Sequence, residues 1–135
     1  METESSEAGP IRVLLADDFE PLRSSIKKFL LDFKHIVVVG EAANYQEMIA
    51  CAAALRPDVV VFDLRMPGAG NVELLTLREK LAEPKPALIC MSIWIDAEST
   101  KFSEEIGCPH IDKADLGREL VPAIEAAVGR KGKSA

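Results

Sequence analysis

Pro57-Asp58-Val59-Val60-Val61-Phe62-Asp63-Leu64-Arg65-Met66-Pro67-Gly68 holds a short apolar run that ends on one aspartate and then turns. Val59 to Phe62 show no polar alternation, which marks a strand buried on both faces, as in a parallel sheet. Asp63 follows at the strand's carboxyl end, where open α/β sheets place their chemistry. Val13-Leu14-Leu15-Ala16-Asp17-Asp18 repeats that context near the N-terminus. Two strands ending in carboxylates predict one cluster of three acids at the top of a sheet. Such a cluster suits a hard divalent cation, and a carboxylate there can serve as a nucleophile.

Working outward, apolar runs alternate with amphipathic segments. Strands are expected at Ile11–Ala16, Ile36–Gly40, Asp58–Asp63, Ala87–Met91 and His110–Asp112. Leu22, Ile26, Phe29, Leu30 and Phe33 recur at helical spacing over Glu20–Phe33. Asn44 can cap a helix running to Leu55, with Met48, Ile49, Ala52 and Leu55 inward. Val72, Leu74, Leu75 and Leu77 mark a helix over Asn71–Leu81. Ala97–Ile106 reads as a weak, polar helix, and Leu120–Val128 lies in the last one. Pro122 inside that last pattern removes a hydrogen bond, so an irregular or kinked first turn is expected there. Five βα units give an α/β fold: a parallel sheet with right-handed crossovers and helices on both faces.

The 135 residues suit one domain with a full core, and 48% hydrophobic with 28% charged residues is a globular composition. A net charge of −6 opposes broad binding to nucleic acid, which needs a basic field. No apolar run is long enough to span a membrane. The start, Met1 to Glu7, is acidic and polar, unlike a signal peptide. Cys51, Cys90 and Cys108 match no metal spacing and read as buried thiols of a reducing compartment. Residues 1–9 are expected to be a disordered tail, 10–129 one domain, and 130–135 a tail or the start of a linker.

Asp17-Asp18, Asp63, Ser92 and Lys113 each follow a strand, the first, third, fourth and fifth in turn. In type, order and context the chain resembles the receiver domains of two-component response regulators, over about Ile11 to Val128. Ala114 after the lysine, in Lys113-Ala114-Asp115, is similar to the LuxR-type branch. The resemblance implies a flavodoxin-like sheet in the order 2-1-3-4-5. It implies that Asp63 accepts a phosphoryl group from a histidine kinase or phosphotransfer protein. It implies Mg²⁺ held by Asp18, Asp63 and the carbonyl of Arg65, with Asp17 acting through water. Lys113 would neutralise phosphoryl oxygens, and Ser92 would follow the phosphoryl group. A cytoplasmic signalling switch with self-hydrolysis, and no turnover of a metabolite, follows. A second copy of the chain is a further partner that the resemblance allows.

Other readings compete. Asp17 and Asp18 can cap a helix, Asp63 can form a turn, Ser92 can be a loop residue, and Lys113 can be solvated. His110 occupies the usual place of an aromatic switch, and Ile93 that of a small residue after the switch hydroxyl. Both favour a pseudo-receiver, a docking or dimerisation module without phosphorylation. A half-buried structural role is the bland reading of His110. A flavin-phosphate binder is disfavoured, because Asp17-Asp18-Phe19-Glu20 would repel the phosphate. Arg65 and Trp94 flank the expected path of the hydrolytic water. If the guanidinium stacks on the indole, the pair would slow hydrolysis.

Overall fold

The computed structural model describes residues 9–66, 76–93 and 95–129. In chain order they form β1 (Ile11–Ala16), α1 (Glu20–Leu30), β2 (Ile36–Ala42), α2 (Tyr45–Leu55) and β3 (Val59–Asp63). Next come α3 (Leu77–Lys80), β4 (Ala87–Ser92), α4 (Ala97–Ile106), β5 (His110–Asp112), a 3₁₀ turn (Lys113–Asp115) and α5 (Leu116–Ala127). All strand pairs are parallel, in the order β2-β1-β3-β4-β5.

The two-residue strand period splits the core into two layers. Val13, Leu15, Val59, Val61, Ile89 and Met91 face α1 and α5, meeting Ile26, Leu30, Leu120 and Ile124. Leu14, Val60, Phe62, Leu88 and Cys90 face the other side, meeting Met48, Ala52, Leu77 and Ile106. β3 is buried along its whole length, as its unbroken apolar run requires.

Several boundaries differ from the sequence expectation. α1 stops at Leu30 rather than Phe33, because its exit tightens into i→i+3 bonds: Leu31 N–H to Lys28, Asp32 N–H to Phe29 and Phe33 N–H to Leu30. Phe33 keeps its helical spacing and packs on Phe29, with ring centroids 5.3 Å apart. β2 continues past Gly40 to Ala42, and its register shifts there: Val13 pairs with Val38, but Leu14 pairs with Gly40. One extra residue, Val39, enters this strand as a bulge, which the apolar run conceals. α5 runs unbroken through Pro122, which lies on the exposed side, and the irregularity sits ahead of it in the 3₁₀ turn. Of the helix expected over Asn71–Leu81, Leu77–Lys80 is helical, and residues 71–75 lie outside the described residues. The expected tails fall largely outside them too.

Asn44 caps α2 as expected, accepting the Glu47 N–H at 2.8 Å. That helix ends on Arg56 in the left-handed region (φ 50°), where glycine is the usual occupant. Arg12 reaches across to the carbonyls of Leu55 and Arg56, both at 2.7 Å, and so satisfies two acceptors of the helix end. The backbone contact survives substitution of Arg56, while the cost of a left-handed L-residue disappears. Arg56→Gly is therefore expected to add about 0.5–1 kcal/mol after the greater chain entropy of glycine is subtracted. Urea denaturation should show a higher midpoint with an unchanged slope; a lower midpoint would contradict the strain.

Candidate functional site

Three carboxylates converge at the carboxyl ends of β1 and β3. Asp17, Asp18 and Asp63 bring ligand oxygens within 4.8 Å of one another. Asp17 is 0% exposed and Asp63 6%, whereas Asp18 is open to solvent. The two buried acids repeat one arrangement. Asp17 Oδ1 accepts the Phe19 N–H at 2.8 Å, and Asp63 Oδ1 accepts the Arg65 N–H at 2.8 Å. These short Asx-type turns fix each carboxyl group. Each Oδ2 is then aimed at Lys113, whose Nζ lies 2.8 Å from Asp17 and 3.0 Å from Asp63. The turn-forming reading of these aspartates holds through Oδ1, which leaves each Oδ2 to Lys113. Neither Asp17 nor Asp18 is the cap residue of α1, which is Phe19.

Lys113 is placed by the residues around it. Asp112 Oδ1 accepts the Ala114 N–H at 2.9 Å and closes the turn that carries the lysine. A proline at position 114 could not make that bond. Burial pushes the Lys113 ammonium down, but its contacts with Asp17 and Asp63 outweigh this and hold its pKa above the usual range. Asp17 Oδ2 is wholly buried and lacks a well-aligned hydrogen-bond donor among the described residues, although the ammonium is near. A buried carboxylate oxygen without an aligned donor, beside two more carboxylates, fits a hard cation that takes oxygen ligands.

Two positioning residues were not legible in the sequence. Tyr45 donates its hydroxyl to the Asp63 carbonyl at 2.9 Å, fixing the main chain at the end of β3. Burial and the nearby Asp63 charge push this phenol up, so it remains a donor. Arg23 donates to the Asp17 carbonyl at 2.6 Å and pairs with Glu41 at 2.9 Å. An aromatic residue on a helix face reads as core, and an arginine on an amphipathic helix reads as solvated, so neither gave a signal.

Ser92 ends β4 one residue beyond Met91, the register partner of Asp63. Its hydroxyl lies 2.8 Å from His110 Nε2. The serine and the histidine in the switch place thus touch directly. Burial holds the His110 imidazole below its usual pKa, against the opposing charges of Asp112 and Asp96. Protonation is easier in the unfolded chain, so the fold gains from neutral His110 above about pH 6.5 and loses that gain as pH falls through the folded pKa. An NMR titration of the ring, assigned with His110→Gln, should give a midpoint below about 6.5. A midpoint above it would mean that the two carboxylates outweigh burial.

Ile93 is 63% exposed and stands at the rim of the cleft with Phe19, rather than filling the space over Asp63. The Arg65 guanidinium turns to Asp96, 3.4 Å away, a half-exposed pair that contributes little to stability. Trp94 lies outside the described residues, and the expected stack with it. Asp96 and Ser99 close a capping box at the start of α4.

An α/β sheet of this order, with acids after β1 and β3 and a lysine after β5, is the arrangement of a receiver-type domain. The family model "Response regulator receiver domain" matches residues 13–122, and the chain belongs to that family. Response regulator GacA of Pseudomonas viridiflava is 43% identical over 117 residues, covering 84% of this chain and 53% of that protein. Transcriptional regulatory protein LiaR of Bacillus subtilis is 34% identical over 119 residues, covering 87% of this chain and 56% of that protein. The chain thus spans about half the length of the curated relatives it matches. A two-component response regulator of the LuxR family from Aurantimonas sp. SI85-9A1 superposes with a TM-score of 0.77 at 26% identity, covering 91% of this chain and 89% of that one. The response regulator domain of Thermotoga maritima CheB gives 0.75 at 27% identity, covering 88% and 96%. GacA, LiaR and the Aurantimonas regulator agree with the LuxR-type branch within the family. Among the described residues, no helix is long and apolar enough to cross a membrane.

Proposed function

We propose that this domain, residues 10–129, accepts a phosphoryl group on Asp63 from a histidine kinase or phosphotransfer protein in the cytoplasm. The observation that carries this reading is the single ammonium of Lys113 between Asp17 and Asp63. It stands where a transferred phosphoryl group would need positive charge. Asp63 must be ionised to attack, and Lys113 with the Arg65 N–H holds its carboxyl group in place. Its oxygen forms the new bond to phosphorus as the bond from phosphorus to the donor imidazole breaks. Asp17, Asp18, Asp63 and the Arg65 carbonyl would hold Mg²⁺, which screens carboxylate from phosphoryl charge. The outcome is an acyl phosphate that is later lost to water; the domain turns over no other substrate. Incubation of the wild-type protein with acetyl phosphate and Mg²⁺ should add about 80 Da to the intact mass, and EDTA should prevent this. An unmodified protein under these conditions would favour the pseudo-receiver.

The switching half of the proposal rests on Ser92 and His110. A hydroxyl drawn toward the phosphoryl group must loosen its 2.8 Å contact with His110. α4 lies between them in sequence and buries Ser99 and Ser103 beside Ile106, a polar inner face with little apolar area. Hydrogen exchange over residues 97–110 is expected to change when beryllofluoride binds. Unchanged exchange there, with Asp63 fully modified by acetyl phosphate, would remove this relay. A second copy of the chain is a further partner that this reading allows.

A further inference from the structure

Two positions before Ser92 on the same face of β4, Cys90 lies near a second cysteine, Cys108. β4 and β5 run in register with Cys90 opposite His110. The Cys90 N–H donates to the Pro109 carbonyl at 2.9 Å, and Cys90 Sγ lies 3.3 Å from the same oxygen. Cys108 is the residue immediately before that proline. Gly107, at φ 79°, turns the chain back after α4, and the Cys108 N–H returns to the Ser103 carbonyl at 3.1 Å. Cys108 therefore packs on the core layer that contains Cys90. Arg78 sits beside them: its guanidinium donates to the carbonyls of Ile106 and Gly107, both at 2.9 Å. The cluster plays no part in the phosphoryl chemistry above.

We propose that Cys108 and Cys90 form an oxidation site for a hydroperoxide, in which Cys108 reacts first and Cys90 resolves it to a disulfide. Access favours this order, because Cys90 is fully buried and Cys108 is only half-buried. Charge favours it as well. The neighbouring Cys90 side chain and the Arg78 guanidinium hold the Cys108 thiol below its usual pKa, against burial. The neighbouring Cys108 side chain, with burial, pushes Cys90 up. A thiolate is the form that attacks peroxide. Cys108 sulfur takes one peroxide oxygen as the O–O bond breaks, giving a sulfenic acid and hydroxide. Cys90 then loses its proton and attacks the Cys108 sulfur; the S–S bond forms, the S–O bond breaks, and the hydroxide leaves as water. Two thiols and one hydrogen peroxide become one disulfide and two waters.

The bond would fasten the connection between α4 and β5 to β4, adjacent to Ser92 and His110. Only that consequence rests on the receiver function; the oxidation does not. Cys51 offers an internal comparison, since its Sγ lies 3.8 Å from the Glu41 carbonyl.

The test uses the full wild-type chain treated with hydrogen peroxide, alkylated and digested with trypsin without reductant. Trypsin separates Cys90 (peptide 81–101), Cys108 (102–113) and Cys51 (35–65). The expected result is an intact mass lower by about 2 Da, a link between the first two peptides and an alkylated Cys51. Dithiothreitol should reverse the change. In Cys90→Ala, Cys108 should instead climb to the sulfinic acid, about 32 Da heavier. The proposal fails if both thiols remain alkylatable at peroxide levels that spare Cys51. It fails equally if wild-type Cys108 gains about 32 Da without the link. Labelling by acetyl phosphate is measured separately, so loss of one activity leaves the other interpretable.

Discussion

Asp63→Asn is expected to take up no phosphoryl group from acetyl phosphate and Mg²⁺, while the wild-type protein gains about 80 Da. The substitution is nearly isosteric. The amide oxygen of the variant side chain can still accept the Arg65 N–H that Asp63 Oδ1 accepts at 2.8 Å, and Tyr45 still holds the main-chain carbonyl. What disappears is the anionic nucleophile, since a neutral amide oxygen does not form a stable bond to phosphorus. The loss should exceed about a hundredfold in labelling rate, because no neighbour can substitute. Asp17 is 0% exposed with Oδ1 spent on Phe19, and Asp18 lies outside the pair that grips Lys113. Intact mass spectrometry, with circular dichroism to confirm the fold, decides it. Label retained at the wild-type rate would move the acceptor to Asp18 and overturn the proposed role of Asp63.

Much of this molecule is legible because its periods are clean. The unbroken apolar run before Asp63 gives a doubly buried strand, and the strand-end positions of Asp17, Asp18, Asp63 and Lys113 bring those four side chains to one edge. What the period cannot show is contact between elements. Ser92 and His110 read as neighbours of α4, yet they touch each other, because β4 and β5 are in register there. Tyr45 looked like ordinary core, and its hydroxyl was invisible until the fold placed it over the Asp63 carbonyl. In the sequence Ala114 marked only a branch of the family. It is an N–H donor that Asp112 uses to hold the lysine turn. Strand and helix ends failed for local reasons: the bulge at Val39 prolongs β2, and i→i+3 bonds end α1 one turn before its apolar spacing does.

The Lys113→Met variant should separate charge from packing at the site. Methionine keeps most of the stem length and loses the ammonium. Without a cation, Asp17 and Asp63 then face each other with no positive partner, and Asp17 is fully buried. Breaking a buried ion pair on one side costs roughly 3–5 kcal/mol, and the open side at Asp18 reduces this, so about 2–3 kcal/mol is expected in EDTA. Urea denaturation should show that loss as a lower midpoint with an unchanged slope. Saturating Mg²⁺ should restore most of it, because a cation that binds only the folded carboxylates stabilises that state by mass action. The variant should also bind Mg²⁺ more tightly than the wild type, whose ammonium competes for the same oxygens. It should still take up phosphoryl groups poorly, since the charge meant for the phosphoryl oxygens is gone. An equal loss with and without Mg²⁺ would make the lysine stem, not its charge, the contributor. An unchanged stability in EDTA would mean that the ammonium does not bridge Asp17 and Asp63 in the folded protein.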